Sequence, residues 1–380
     1  MPIELHGVEQ YFLENANKPI EVLAASVIGL VATADDADAA VFPLGKPVLV
    51  NSDKMIASAG TTGSLRAALE DIYRQSGALV VVIRENEDVD EATQIANIIG
   101  TIDNEANTFS GLKALLSAES LLGLRPRIII SPEFSQLISV GAEMEAIAKK
   151  LNAIALIDGD HTAGYSAVIT AAALYDETYF LNGGLVFFDA AAKAEVERYM
   201  SATVAGHIVR VDNEEGYWHS PSNRKIYGVL RTVETIDHAI GSKTSKANLY
   251  NMANVTVAVN QKGGWYLWGN RLTNGDILPH QRIRYIVGDS ILYAHQEMLD
   301  RNVTKAYVDG VKNRVNSLIR RLISREVISG GDCWLDKELN VAAIGTSQVY
   351  WDYDLGFYDV AERMTFRQHI TDKYNEAIFS

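Results

Sequence analysis

Two periods of apolar residues alternate along the first half of the chain, and each predicts its own element. Glu21 to Ala34 (EVLAASVIGLVATA) and Lys46 to Asn51 (KPVLVN) are continuous, β-branched apolar runs, as expected of strands buried on both faces. Leu65, Leu69 and Ile72 then recur at helical spacing behind Thr61 and Thr62, either of which can cap that helix. Further strand-like runs follow at Ala78 to Arg84, Arg127 to Ser131, Asn152 to Asp158 and Leu181 to Asp189, with helical patterns near 108–122, 134–150, 162–174 and 190–205. Apolar strands alternating with helices predict an α/β fold: a mainly parallel sheet flanked by helices.

Beyond about residue 206 the pattern loosens into glycine-rich turns, short strands and two longer helices near 289–301 and 304–327. Leu339 to Tyr350 and Ala361 to Ile370 (AERMTFRQHI) read as strands, the second with one apolar face. The shift predicts a domain boundary at 205/206 and an α+β second domain. Residues 1–20 and roughly 356–380 hold too few apolar residues to anchor themselves; they read equally as fraying termini or as arms in want of a partner.

Composition narrows the function. The 380 residues are 48% hydrophobic and 22% charged, ordinary for a two-domain globular chain. No apolar run approaches the roughly 20 residues of a membrane span, and MPIELHGVEQ lacks the features of a signal peptide, so the expectation is a cytoplasmic protein without a membrane partner. A net charge of −14 argues against a nucleic-acid partner, whose phosphates are bound by Lys and Arg. The single cysteine, Cys333, excludes an internal disulfide and a clustered-thiolate metal site.

Candidate chemistry is sparse. Asp158, Asp160 and His161 (DGDH) follow an apolar strand, where an open α/β sheet presents ligands, and their side chains suit a metal; equally, they form a turn in which Asp160 or Thr162 caps the next helix. Gly60 to Gly63 (GTTG) opens a helix and can offer backbone amides to an anion, but it lacks the lysine of a nucleotide loop. Gly241-Ser-Lys-Thr lacks that loop's upstream glycine, and no GxSxG, HExxH or GxGxxG occurs, so no cofactor is expected.

Lys312, Arg314, Arg320, Arg321 and Arg325 accompany Val311, Val315, Leu318, Ile319 and Leu322 on one predicted helix. The apolar set faces a core, which turns the basic set outward as a solvated face or a dock for an acidic partner. All five tryptophans, among them Trp218 and Trp268, lie in the C-terminal half, mainly as core, and Asn223 and Arg224 follow Ser220-Pro-Ser as residues that lock a loop.

Asp212 to Val229 (DNEEGYWHSPSNRKIYGV) and Gly263 to Asp276 (GGWYLWGNRLTNGD) resemble signature segments of the contractile tail sheath family of bacteriophages and R-type pyocin-like particles. Phe42 to Val50 (FPLGKPVLV), Gly60 to Leu69, Leu124 to Pro132 (LRPRIIISP), Arg282 to Ile291, Gly330 to Asn340 (GGDCWLDKELN) and Met364 to Tyr374 (MTFRQHITDKY) extend the resemblance in order, while Leu272 interrupts the family's usual WGNRT and RIRY stands where paired arginines are common. The resemblance implies an N-terminal arm (1–22), an outer α/β domain (23–205), an inner domain (206–355) and a C-terminal arm (356–380). Both arms would exchange between subunits through Val8, Tyr11, Leu13, Met364, Phe366 and Ile370. It implies a homopolymer around an inner tail tube, closed by baseplate and tail terminator proteins, built in host cytoplasm and contracting without nucleotide. The basic helix would contact the tube, and Trp218, Asn223, Arg224, Trp268, Asn270 and Arg271 would be an inner-domain loop scaffold. The rival reading is a cytoplasmic α/β enzyme with a metal near Asp158 and His161.

Overall fold

A computed structural model of the chain describes residues 20–375 apart from 104, 107, 190, 191 and 373. Three strands open it, β1 (Val27–Thr33), β2 (Val48–Val50) and β3 (Leu79–Glu85), followed by a hairpin of β4 (Ile102–Asp103) and β5 (Thr108–Phe109). After β6 (Ile128–Ile130), β7 (Ile154–Asp158) and β8 (Thr178–Asn182), the strands β9 (Leu185–Asp189), β10 (Ala194–Arg198) and β11 (Arg231–Thr232) make a separate three-stranded sheet. With β12 (Val255–Gln261) and β13 (Gly264–Trp268) the large sheet is complete, in the order β13-β12-β8-β7-β6-β1-β3-β2. Its six inner strands are parallel, and both edge strands run antiparallel.

Because side chains alternate across a strand, the continuous apolar runs divide into two cores. Ile28, Leu30 and Ala32 of β1 join the core under α1 (Leu65–Gln75) and α6 (Met200–Glu214). Val27 and Val31 join the opposite core with α2 (Glu91–Ile99), α3 (Ala118–Leu122), α4 (Ile138–Leu151), α5 (Tyr165–Ala172) and α7 (Lys246–Met252). The predicted parallel sheet covered on both faces is therefore the observed one.

Helix α6 is buried from Met200 through Val211, its mostly apolar residues accompanied by Ser201, Thr203, His207 and Arg210. Its first turn is satisfied by Asp158 at the end of β7. The carboxylate accepts the Ser201 N–H at 2.8 Å and the Ser135 hydroxyl at 2.9 Å, and burial pushes its pKa up to about 6. On its other side α6 touches α1 so closely that a Cβ at Gly206 would lie 2.4 Å from the Ile72 carbonyl oxygen.

A third core lies beyond the sheet. In it α8 (Leu278–His295) and α9 (Lys305–Ser324) pack Ile283, Ile286 and Val287 against Val315, Leu318, Ile319 and Leu322, with Tyr217 and Ile20 at the rim. The short helix α10 (Lys337–Ala342) follows the strand β14 (Cys333–Leu335), which pairs antiparallel with β15 (Trp351–Tyr353).

Several elements differ from the sequence expectation. The run 181–189 is broken at Gly183, whose φ of +114° only glycine adopts easily, so its halves enter different sheets. The helix expected over 190–205 gives way to β10, which pairs with β9; the helix starts at Met200 and ends at Glu214. Position 205/206 thus falls inside α6, and β12 and β13 from beyond it complete the large sheet. The pattern at 289–301 belongs to α8, which starts early at Leu278-Pro279, where proline suits a first turn. Leu339 lies in α10, capped by the Asp336 carboxylate at 2.9 Å, and Ala361 to Ile370 forms no strand within its own subunit.

Gly206→Ala should cost about 1–3 kcal/mol in denaturant unfolding, since the added methyl meets backbone. Gly310→Ala in α9, where a Cβ meets nothing within 4 Å, should instead stabilise by up to about 1 kcal/mol; equal effects would contradict the α1–α6 contact. Asp158 binds its proton more tightly folded, at about 6, than at the ordinary 3.8, so its contribution to stability falls as pH rises between those values. Asp158→Asn should therefore gain on the parent by up to about 3 kcal/mol from pH 4 to pH 7, and a flat difference would refute this assignment.

Candidate functional site

The carboxylate–imidazole cluster read from the sequence does not converge. Asp158 is committed to α6, and the Asp160 carboxylate accepts the Thr162 N–H at 2.9 Å and its hydroxyl at 2.6 Å. The His161 ring packs edge-on against Tyr199 at 5.1 Å. Among the described residues no group of three His, Cys, Asp or Glu side chains is placed to hold a metal. The amides at Gly60 to Gly63 already have their anion: the Asp36 carboxylate accepts the N–H and hydroxyl groups of Thr61 and Thr62 at 2.7–3.0 Å, which holds its pKa far below the usual range. Those threonines therefore serve Asp36, and α1 begins after Ser64 without a side-chain cap.

The two aromatic-rich segments, distant in sequence, form one structure. Residues 223–226 lie along the outer edge of β13, with Asn223 N–H on the Leu267 carbonyl at 2.7 Å, Leu267 N–H on the Arg224 carbonyl at 3.0 Å and Ile226 N–H on the Trp265 carbonyl at 2.9 Å. Asn223 adopts φ +57°, and its side chain accepts from Gln261 at 2.8 Å. Arg224 pairs with Glu215 at 2.5 Å. Asn270 is buried; its side-chain oxygen accepts from Ser220 at 2.5 Å and its carbonyl from Leu278 N–H at 3.0 Å. Trp218 meets Tyr217 edge-on at 5.3 Å, and Trp268 meets His238 at 4.6 Å.

Beneath them His207 and Arg210, which sequence reading passed over, hold the loop from inside α6. Burial lowers the His207 pKa to about 4, so the neutral ring donates from Nε2 to the Pro221 carbonyl at 2.9 Å and accepts from Arg210 at Nδ1 at 2.8 Å. Arg210 also stacks 3.9 Å over the Tyr227 ring and donates to the Lys225 carbonyl. The available signal was two polar residues one turn apart in a mostly apolar helix. Together these loops, α7 and residues 358–362 frame a cleft of about 980 Å³.

The five basic residues of α9 and its C-terminal cap do not form one outward stripe. Arg314 shares its helical face with Val311, Val315 and Leu318, so it is buried and reaches Glu297 at 3.3 Å and the Met298 sulfur at 3.1 Å. Arg321 donates to the Ile20 carbonyl. Arg320 and Arg325 are exposed and Lys312 is half-buried.

Beside this helix the sheet of β14 and β15 has only two strands. Asn316 of α9 covers the far side of β14 by bonding both the N–H and the carbonyl of Cys333, at 2.8 and 3.2 Å. The far edge of β15 has no partner strand among the described residues. Downstream, Met364, Phe366 and Ile370 are 74%, 89% and 94% exposed. Val8, Tyr11 and Leu13 lie outside the described residues. No helix among those residues is long and apolar enough to cross a membrane.

Residues 107–273 match the phage tail sheath protein central domain, and residues 281–371 match the phage tail sheath C-terminal domain. The matches part where the chain leaves the large sheet for α8. A putative prophage major tail sheath protein of Pseudomonas aeruginosa (strain UCBPP-PA14) is 32% identical over 378 residues, covering 97% of this chain and 97% of that protein. The tail sheath protein of Escherichia phage P2 is 30% identical over 387 residues, covering 97% and 96%. Among solved structures, the contracted helical sheath of the anti-feeding prophage shares the fold with a TM-score of 0.71 at 16% identity, over 97% of this chain and 99% of that one. With relatives aligned along nearly its whole length and both sheath domain families matched in order, the chain belongs to the contractile tail sheath family.

Proposed function

We propose that this sheath subunit polymerises around an inner tail tube by arm exchange and contracts to drive that tube through a target cell envelope. The observation that carries the reading is the coexistence of an open strand edge with an exposed segment that bears apolar side chains. The far edge of β15 lacks a neighbour among the described residues, while residues 363–372 extend from the body with apolar side chains exposed. A two-stranded sheet is marginal alone, and an extended segment added to its edge gains main-chain hydrogen bonds and a covered apolar face. Since arm and edge are different surfaces, the contact is heterologous and propagates into stacked rings or a helix. The N-terminal arm ahead of Ile20, which itself packs in the subunit's third core, joins the same mesh, with baseplate and tail terminator proteins at the polymer ends. Assembly takes place in host cytoplasm, and the product is a virion tail or a contractile particle.

Contraction is then the relaxation of a metastable polymer, with subunits moving as bodies while arms keep them connected. The inner part of the subunit is the α8–α9 unit with β14 and β15, joined to the sheet body between residues 273 and 281. Of the basic residues on α9 and at its C-terminal cap, Lys312, Arg320 and Arg325 face the tube, whereas Arg314 and Arg321 hold the subunit's own structure. No enzymatic role is assigned to Asp158 or His161, whose side chains are committed to α6 and Tyr199.

Deleting residues 363–380, or residues 1–18, should leave a folded, soluble chain that forms no ordered tubes or ring stacks in negative-stain electron microscopy. Sheaths of normal appearance from either truncation would sink the arm reading. The double substitution Arg320→Glu, Arg325→Glu should leave thermal unfolding within about 2 °C of the parent while abolishing co-sedimentation with the tube at low salt. Unchanged co-sedimentation would remove α9 from the tube interface.

A further inference from the structure

We infer that Arg271, His280 and Glu362 form the anchor that fastens the C-terminal arm to its own subunit, so that the exchanging part of the arm begins at Arg363. The inference rests on the arm-exchange reading above and adds where the pull of a neighbour enters the fold.

After β15 the chain is secured in successive steps. Gly356 exchanges backbone hydrogen bonds with Ser329 and Gly330, both at 2.8 Å. The Phe357 ring stacks on the His280 imidazole with centroids 4.8 Å apart and planes 16° from parallel, and the next carbonyl, Tyr358, lies 2.9 Å from His280 Nε2. Glu362 then accepts two bonds from Arg271 on one carboxylate oxygen, from Nε at 3.0 Å and Nη2 at 2.6 Å. The third guanidinium nitrogen is held by the Gly275 carbonyl at 2.6 Å, so the arginine is oriented before it pairs and loses little freedom in doing so. From Arg363 to Asp372 every residue is exposed.

Arg271 lies on the large sheet's side of the molecule and His280 in the first turn of α8. Arg271 and His280 bracket a turn tied to the start of β8 by Thr273 N–H on the Thr178 carbonyl at 2.9 Å and Asn274 N–H on the Asp176 carbonyl at 2.7 Å. A pull on the arm therefore reaches the eight-stranded sheet through this turn. Without the anchor it would fall on β14 and β15, which pair over three residues, and on the Gly330–Gly356 bridge beside them. The arrangement explains why an arm root runs across the cleft mouth instead of leaving the body at Gly356.

The test uses the full chain carrying Glu362→Gln, Arg271→Glu, Glu362→Arg, or the last two together. Chymotrypsin should cut the dispersed parent readily at exposed Phe366 and slowly at Tyr358, because cleavage there needs the Tyr358 carbonyl to leave His280. Each single variant should raise the Tyr358 rate about threefold, the scale of a half-exposed ion pair, and the charge swap should restore most of the protection. After contraction, single-variant sheaths should fragment into short stacks while the swapped pair stays intact. Tyr358 cleavage equal to the parent's in all single variants would overturn the anchor. Ordered assembly by the chain lacking residues 363–380 would instead overturn arm exchange and leave the cleavage result standing.

Discussion

Everything beyond the large sheet hangs on how α8 is keyed to it, and the key is electrostatic. Arg282 and Asp289 stand seven residues apart, on one side of the helix, and carry opposite charges into the seam. Arg282 takes both oxygens of Asp212 from α6, at 2.7 and 2.5 Å, while Ser26 donates to the same carboxylate at 2.6 Å. Asp289 receives Arg125 at 2.9 Å, Asn152 at 2.7 Å and Arg127. Both ion pairs are buried. Removing one member of such a pair strands the other and costs on the order of 3–5 kcal/mol, so the seam tolerates one register only. A shift of α8 along its axis would separate Arg282 from Asp212 and Asp289 from its arginines. Apolar contacts in the third core resist sliding less, because burial is indifferent to direction.

That seam also shows what a sequence can and cannot disclose. The strands of the sheet were legible because fully buried parallel strands must be continuously apolar, as β1, β3 and β7 are. The break at Gly183 and the strand β10 were not, since a glycine's φ and a hairpin partner are set by the rest of the fold. The candidate site divides in the same way. The segments that marked the family contain Asp212, Arg282, Asp289, Arg125 and Arg127, yet nothing in the sequence pairs them. The partners lie 70 and 162 residues apart, and only the packed helix brings them together. Arg224 reaches a carboxylate nine residues back, Glu215, whereas Asn223 is held by Gln261 and Leu267, which only the folded edge of β13 brings near. Arg314 was misplaced because its charge suggested solvent while its helical position put it among Val311, Val315 and Leu318.

The same division of labour bears on contraction. A polymer that stores free energy between subunits needs subunits whose internal interfaces are stiffer than their contacts with one another. The buried pairs at the α8 seam supply stiffness inside, where water cannot compete for the charges. The external contacts are of another kind. In the proposed exchange, arm strands would join by main-chain hydrogen bonds, which are directional yet indifferent to side chains, and the segment between anchor and strand would let subunits rotate without parting. On this reading the chain places its rigid, desolvated interactions where motion would be ruinous and its adaptable ones where motion is the function. A net charge of −14 fits the scheme, because it keeps unassembled subunits apart until arm and edge meet in register.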